Sequence, residues 1–164
     1  MDALGRLRAW VTRESVRAAY VPPPRVTTVI AEESLTQRKL IGSLDPQKDV
    51  VDELTRICEL QQVKSAELSF AGRVRDVEIA RFVDGEYQTV PVEPGVCEVV
   101  HVNGNVARMG DQTVLRIDTL LSANGPMGQQ MVFGQLRKAE VIECEFVLTA
   151  HEDLISKRKL DKET

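Results

Sequence analysis

The stretch Ser65–Phe82, SAELSFAGRVRDVEIARF, constrains the fold of this chain more than any other part of the sequence. Both of its halves alternate apolar and polar residues, which is the period-two pattern of half-buried strands. Gly72 lies between the halves and can take a positive φ without steric cost, so the pattern predicts two strands joined at Ala71-Gly72. Asp84-Gly85 follows as a strong turn signal. Together these features predict an antiparallel meander.

Length, composition and cysteine usage predict one globular domain in a reducing compartment. The chain has 164 residues, of which 43% are hydrophobic and 28% charged, as is usual for a globular protein. Its three cysteines, Cys58, Cys97 and Cys144, are widely spaced inside apolar runs, which indicates buried thiols rather than a disulfide framework. No apolar run approaches the ~18 residues of a membrane span, and no hydrophobic leader is present. We therefore expect a cytoplasmic protein without membrane contact.

The sequence divides into three parts: an N-terminal arm over residues 1–34, a domain over residues 35–152 and a polar C-terminal tail over residues 153–164. Residues 2–20 of the arm have a helical apolar stripe, made of Leu4, Leu7, Trp10 and Val11. Pro22-Pro23-Pro24 then ends any helix and predicts a stiff, extended spacer.

Within the domain, the most strongly marked element is a helix over Pro46–Gln61. Asp45 is a suitable N-cap, and Pro46 occupies the first helical position, where its missing N–H costs nothing. One face of this helix is apolar and predicts contact with the core, through Val50, Val51, Leu54, Ile57 and Cys58.

Short β patterns separated by turn signals fill the rest of the domain. Asn103-Gly104 is expected to end one strand, and Ser122–Gln129 is expected to form an exposed loop. In addition to the opening stretch, strands are predicted at Arg38–Ile41, Tyr87–Val90, Cys97–Val102, Thr113–Leu121, Met131–Leu136 and Val141–Thr149. One capped helix and about seven strands predict an α+β fold with a central, largely antiparallel sheet.

From about Lys39 to Ala150 the order of these motifs resembles the PPC (plant and prokaryote conserved) domain. The helix followed by Lys64–Phe70 resembles the opening helix and strand of that family. Three further segments resemble its "isaiGavsdvtL", "E-i-l-s-l-x-G" and "G-G-H-L … E-v-v-l" motifs, namely Ala71–Ile79, Glu98–Gly104, and Phe133–Leu136 with Glu145–Leu148. The resemblance covers roughly two thirds of the chain.

The resemblance implies a compact α+β subunit that assembles as a homotrimer and has a non-enzymatic role in DNA association and partner recruitment. Family members often carry His-x-His and Gly-Gly-His, a plausible metal-binding set, but Arg116, Asp118 and Gln135 take those places here. Because Arg and Gln are poor ligands for a transition metal, we expect neither a metal nor another cofactor. Gly5-Arg6-Leu7-Arg8 lacks the proline of an AT-hook, so the plant route to DNA recognition is not supported.

Arg116, Asp118 and Gln135 are the candidate ligand pocket, although a surface or interfacial ion pair is the favoured interpretation of Arg116 and Asp118. His101 is interpreted as a structural residue on a strand, and His151 as solvated at the end of the last strand. Glu98 and Glu145 are a further candidate pair of carboxylates, which strand-edge solvation or a salt bridge between subunits explains equally well. No nucleophile motif or phosphate loop is recognisable, so we do not expect an enzyme.

The arm carries the second set of candidate residues, for contact with DNA or a partner: Arg6, Arg8, Trp10, Arg13 and Arg17. Residues 1–25 hold five Arg against Asp2 and Glu14, a net charge of +3, although the whole chain carries −4. The arm has three interpretations. We rank docking of its apolar stripe on a protein partner or neighbouring subunit first, packing on its own domain second, and DNA binding by counterion release third. The sequence thus favours a homotrimeric binding module with a regulatory role; the alternative is a small-molecule binder or enzyme that uses the Arg116, Asp118 and Gln135 pocket.

Overall fold

Six strands and one helix make up the part of the chain that the structure, a computed structural model, describes: residues 31–92 and 95–157. In chain order they are β1 (Gln37–Ser43), α1 (Val50–Leu60), β2 (Ala66–Val83), β3 (Glu86–Pro91), β4 (Cys97–Met109), β5 (Gln112–Gly125) and β6 (Gly128–His151). The α+β class with an antiparallel sheet is confirmed, but the prediction of about seven strands is wrong, because several predicted breaks lie inside longer strands.

Two glycine-containing segments that were predicted to break strands lie within strands instead. Ala71-Gly72 lies in the middle of the 18-residue β2, where Gly72 has a φ of +136°. Asn103-Gly104 lies inside β4, and a Cβ on Gly104 would come within 2.9 Å of Leu68 Cγ. These glycines therefore allow strands to bend and to approach each other closely, and neither of them forms a turn.

The predicted strands Met131–Leu136 and Val141–Thr149 are parts of one 24-residue strand, β6. The predicted loop Ser122–Gln129 is also wrong, because Gly125 of β5 pairs with Gly128 of β6 and leaves only two residues in the turn. The Asp84-Gly85 turn is confirmed: both residues have positive φ, 52° and 90°, and Val83 pairs with Glu86 across them. Positive φ at both central positions is the requirement of a tight β-hairpin turn.

The antiparallel strand pairings form a closed ring with two outer strands. The sheet order is β1-β6-β5-β4-β2-β3, and β6 pairs with β2 as well as with β1 and β5. The pairings β2–β4, β4–β5, β5–β6 and β6–β2 therefore close on themselves, leaving β1 and β3 as edge strands. The register between β2 and β6 shifts at three places. Such irregularities bend a strand, so the long β2 can curve with the closed ring.

Helix α1 begins later than predicted, because the backbone before it pairs with β6. Gln47 has a φ of 65°, its N–H donates to the Val141 carbonyl over 2.8 Å, and the Val141 N–H donates to the Lys48 carbonyl. The N-cap is consequently Asp49 and not Asp45. Asp49 Oδ1 accepts from the backbone N–H groups of Val51 and Asp52, while Oδ2 accepts from the Ala139 N–H over 2.9 Å. One carboxylate thus caps the helix and joins it to β6.

The predicted apolar face of α1 is confirmed, since Val50, Leu54 and Cys58 are fully buried against strand residues such as Leu148 and Ile117. The three cysteines are unpaired and buried, as predicted. Burial raises the pKa of the Cys58 thiol to about 12 and that of Cys144 to about 11, so both are protonated and unreactive near neutral pH.

The candidate contact residues of the arm, from Arg6 to Arg17, lie outside the described residues. Residues 34 and 35, just before β1, are hydrogen-bonded to the segment after β6: the Asp153 carboxylate accepts from Ser34 Oγ and from the backbone N–H of Leu35. Among the described residues, no helix is long and apolar enough to cross a membrane.

Candidate functional site

The three candidate pocket residues lie together on the outer surface of β5 and β6. Arg116 and Asp118 project from the same face of β5, and Arg116 Nε donates to Asp118 Oδ2 over 3.1 Å. Asp118 is directly paired with Gln135 of β6. The alternation of β5, with Ile117, Thr119 and Leu121 buried, places the two charged side chains outward as predicted. The ion pair that the sequence favoured is therefore present, and a ligand role for it stays a prediction.

These residues line a groove of about 470 Å³ whose opposite wall comes from β2 and β3. Arg81 of β2 lies in this groove, and its Nε donates to the carbonyl of Phe133 on β6 over 3.1 Å. Phe82 and Tyr87 pack edge-to-face on the wall, with ring centroids 5.1 Å apart. The groove thus combines two guanidinium groups, one carboxylate and one carboxamide with aromatic walls.

Four large side chains that line the groove, three of them aromatic, form a surface that we name the aromatic face: Phe82, Tyr87, Met131 and Phe133. These side chains are 65%, 54%, 56% and 65% exposed, and Val83 and Val90 beside them are also exposed. The sequence did not mark this face, because each residue lies in an ordinary strand pattern. The sequence signal that could have indicated this face is the FVDGEY hairpin, which has aromatic residues on both sides of its turn. Its second strand, β3, is exposed at every residue. Clustered exposed apolar side chains are typical of interaction surfaces.

Both histidines lie where the sequence placed them, His101 on a strand and His151 at the end of the last strand, but His151 is not solvated as predicted. His101 is exposed on β4, where the register with β5 shifts between Val99 and His101, and a structural role for it stays a prediction. His151 is partly buried rather than solvated, because its backbone N–H donates to the Ser65 carbonyl over 2.9 Å and holds it against the domain. Its Nδ1 atom is buried with no hydrogen-bond partner within the described part of the chain. His151 lines a cavity of about 700 Å³ together with Glu59, Asp111 and Glu152, and within the described residues neither histidine side chain makes a hydrogen bond or ion pair with a carboxylate.

The candidate carboxylates Glu98 and Glu145 do not form a pair. Glu98 lies opposite Arg73 in the β2–β4 pairing, whereas Glu145 lies opposite Ala71 in the β2–β6 pairing. Strand β2 therefore runs between them, and strands on either side of a third are about 10 Å apart. Arg73 Nε instead donates to Glu143 over 2.8 Å, and this interaction holds the pKa of the Glu143 carboxyl below its ordinary value.

The residues at the positions of the family's metal set do not fit a metal ion. Arg116 cannot supply a lone pair, its Nε occupies one oxygen of Asp118, and the Gln135 carboxamide is a poor ligand for a transition metal. Within residues 31–92 and 95–157, no group of three or more His, Cys, Asp or Glu side chains could hold a metal ion. The donor set of the groove is suited to hydrogen bonding and to ion pairing.

The sequence of residues 31–152 matches the model of the Plants and Prokaryotes Conserved (PCC) domain, also written PPC. A PPC protein from Pyrococcus horikoshii has a similar structure, with a TM-score of 0.72 at 18% identity over 82% of this chain and 92% of that one. A metal-containing protein from Archaeoglobus fulgidus has a TM-score of 0.74 at 24% identity over 82% of this chain and 94% of that one.

At these identities the two solved structures establish the fold alone, and no curated protein matches the sequence. The family match, by contrast, spans 31–152 of the 164 residues and includes β1 to β6, α1 and the groove. The resemblance predicted from the motif order is therefore confirmed, and this chain belongs to the Plants and Prokaryotes Conserved domain family.

Proposed function

We propose that this protein is a non-enzymatic, homotrimeric binding module with a regulatory role, which recruits a protein partner or contacts DNA through its N-terminal arm. The observation that carries the proposal is the aromatic face. Its four large side chains are more than half exposed on a single chain, and covering them with a second copy would remove apolar surface from water. The homotrimer that the family resemblance implies would provide that cover.

The arm supplies the contact with a partner in this proposal. Leu4, Leu7, Trp10 and Val11 form a stripe suited to a groove on another protein, and Arg6, Arg8, Arg13 and Arg17 add positive charge beside it. A trimer would present three such arms on one particle. Simultaneous binding of several arms would then raise a weak single contact by orders of magnitude without any new interaction.

DNA is the second partner class to consider. A structurally similar protein from Bacteroides thetaiotaomicron, with a TM-score of 0.62 at 16% identity over 71% of this chain and 80% of that one, is proposed to bind DNA. The arm's arginines suit phosphate contacts, while the chain as a whole is acidic with a net charge of −4. DNA contact through this chain would therefore depend on the arm. We propose a cytoplasmic location, which the three unpaired thiols support because they suit a reducing compartment.

A salt titration of DNA binding separates the two partner classes. If the arm contacts DNA, the wild-type chain should bind a mixed-sequence duplex at low salt, and log affinity should fall with log salt at a slope of roughly −3.6 for four neutralised phosphates. A variant with Arg6, Arg8, Arg13 and Arg17 all changed to Gln should lose that binding. Fluorescence anisotropy between about 50 and 200 mM salt measures both.

The matched control is Trp10→Ala, which preserves all the arginines and removes the largest apolar side chain of the stripe. It should leave DNA binding unchanged and should weaken a protein contact. No DNA binding by the wild type at low salt would eliminate the DNA branch and leave protein recruitment.

The alternative function is small-molecule binding. It is favoured by one observation: Arg116, Asp118 and Gln135 lie in the floor of a concave groove of about 470 Å³, a size typical of small-molecule sites. This function is compatible with assembly, because a groove at the edge of an aromatic face would lie beside a neighbouring subunit.

A further inference from the structure

The charges of the groove do not balance. Among residues 31–92 and 95–157, its charged lining consists of Arg81 and Arg116 against Asp118. Arg116 Nε is paired with Asp118, but Arg81 Nε donates to a neutral backbone carbonyl, that of Phe133. Within the described residues the Nη atoms of both guanidinium groups make no hydrogen bond. The described lining of the groove thus carries one excess positive charge, with Nη donors that can bind an anion.

This excess charge costs little free energy while water hydrates the guanidinium groups. It costs more once a second copy of the chain covers the aromatic face. The inference therefore rests on the proposed self-association, which would exclude water from the rim at Phe82, Tyr87 and Phe133. An unpaired guanidinium in such a place loses its hydration and needs a counter-charge. An anion held in the groove would supply that charge.

The walls indicate what kind of anion fits. One wall is the edge-to-face pair of Phe82 and Tyr87, and Met131 and Phe133 also line the groove. Flat apolar groups pack well against such rings, whereas an inorganic anion would fill only the polar part of the groove and leave the ring faces without a packing partner there. The volume of about 470 Å³ is sufficient for a small organic molecule.

We propose that the groove binds a small organic carboxylate with a flat apolar body. The free Nη groups of Arg116 and Arg81 bind the carboxylate, and the Gln135 carboxamide contributes a further donor. Asp118 holds Arg116 in place through the 3.1 Å bond to its Nε. The aromatic side chains receive the apolar body. Residues that replace a metal-binding set in this family would thus form a site for an organic anion.

Calorimetric titration with benzoate and with benzamide tests this proposal, because the two probes share shape and differ in charge. The wild-type protein should bind benzoate about tenfold or more tightly than benzamide. Arg116→Gln should remove that preference while leaving the weaker benzamide binding in place. Arg81→Gln serves as a second variant, and circular dichroism shows that each remains folded. The control is Arg73→Gln, which changes an exposed arginine paired with Glu143 outside the groove and should not alter either affinity.

Equal affinities for the two probes, or a benzoate preference that survives in both groove variants, would overturn the proposal. Sedimentation of the same samples separates it from the assembly hypothesis. A monomer that prefers benzoate would support the site and contradict the trimer. A trimer without the preference would overturn the ligand site and leave the assembly intact.

Discussion

Replacing Gly72 with alanine should destabilise the domain by more than about 4 kcal/mol, enough to unfold many proteins of this size. A Cβ at this position would lie 2.0 Å from the Glu143 carbonyl oxygen and 2.9 Å from Cys144 Cα. Both atoms belong to the backbone of β6 and cannot rotate away. Relief would require β2 and β6 to separate where Gly72 pairs with Cys144, and this pairing is one that closes the ring of strands.

Gly95→Ala is the matched control, because Gly95 has the same φ of +136° and no heavy atom of the described residues within 4 Å of the added Cβ. Both variants have the unfavourable backbone conformation, which costs on the order of 1–2 kcal/mol, and only Gly72→Ala adds the clash. Urea unfolding followed by circular dichroism measures both. Similar free energies of unfolding for the two variants would show that β2 and β6 are not in contact at Gly72.

Leu54→Ala should lower the free energy of unfolding by about 2–5 kcal/mol. Leu54 is fully buried on the face of α1 that packs against the strands, so the shortened side chain leaves a cavity. The destabilisation combines the transfer free energy of the removed carbon atoms with the weaker dispersion attraction among the residues that line the cavity.

The same substitution on the same helix provides the comparison: Leu60 is 67% exposed at the end of α1. Leu60→Ala removes little buried surface and introduces a good helix former, so it should change stability by less than about 0.5 kcal/mol. Equal effects of the two leucine variants would mean that α1 does not pack on the strands through Leu54.

Local sequence patterns predicted the elements whose cause is local. The Asp84-Gly85 turn needs only two residues that accept positive φ, and the inward face of α1 needs only the spacing of its apolar residues. The alternation of β5 likewise predicted the outward direction of Arg116 and Asp118. In each case the determining atoms lie within a few residues along the chain.

Predictions failed where distant backbone determines the outcome. Whether Gly72 and Gly104 break a strand or allow close approach depends on β6 and on Leu68, which are remote in sequence. The choice of Asp49 over Asp45 as N-cap depends on the Ala139 N–H and on pairing with Val141. Local patterns carry no information about these partners.

The candidate site was predicted in part for the same reason. Its polar floor came from the family resemblance together with the β5 alternation. Arg81 and the aromatic face became visible only when β2, β3 and β6 were placed side by side. Exposure of Phe82 and Phe133 is a property of the tertiary arrangement, since nothing in the strand pattern distinguishes them from core residues.

Self-association through the aromatic face is the central claim, and the mass of the particle in solution tests it most directly. Sedimentation equilibrium of the wild-type protein should give three times the 18.3 kDa of one chain. Phe133→Asp, which places a charge on the face without disturbing a buried residue, should give a folded protein of single-chain mass. Val100→Asp, a similar change at an exposed valine outside the face, should remain trimeric. A wild-type protein of single-chain mass, or a Phe133→Asp variant that stays trimeric, would contradict the claim.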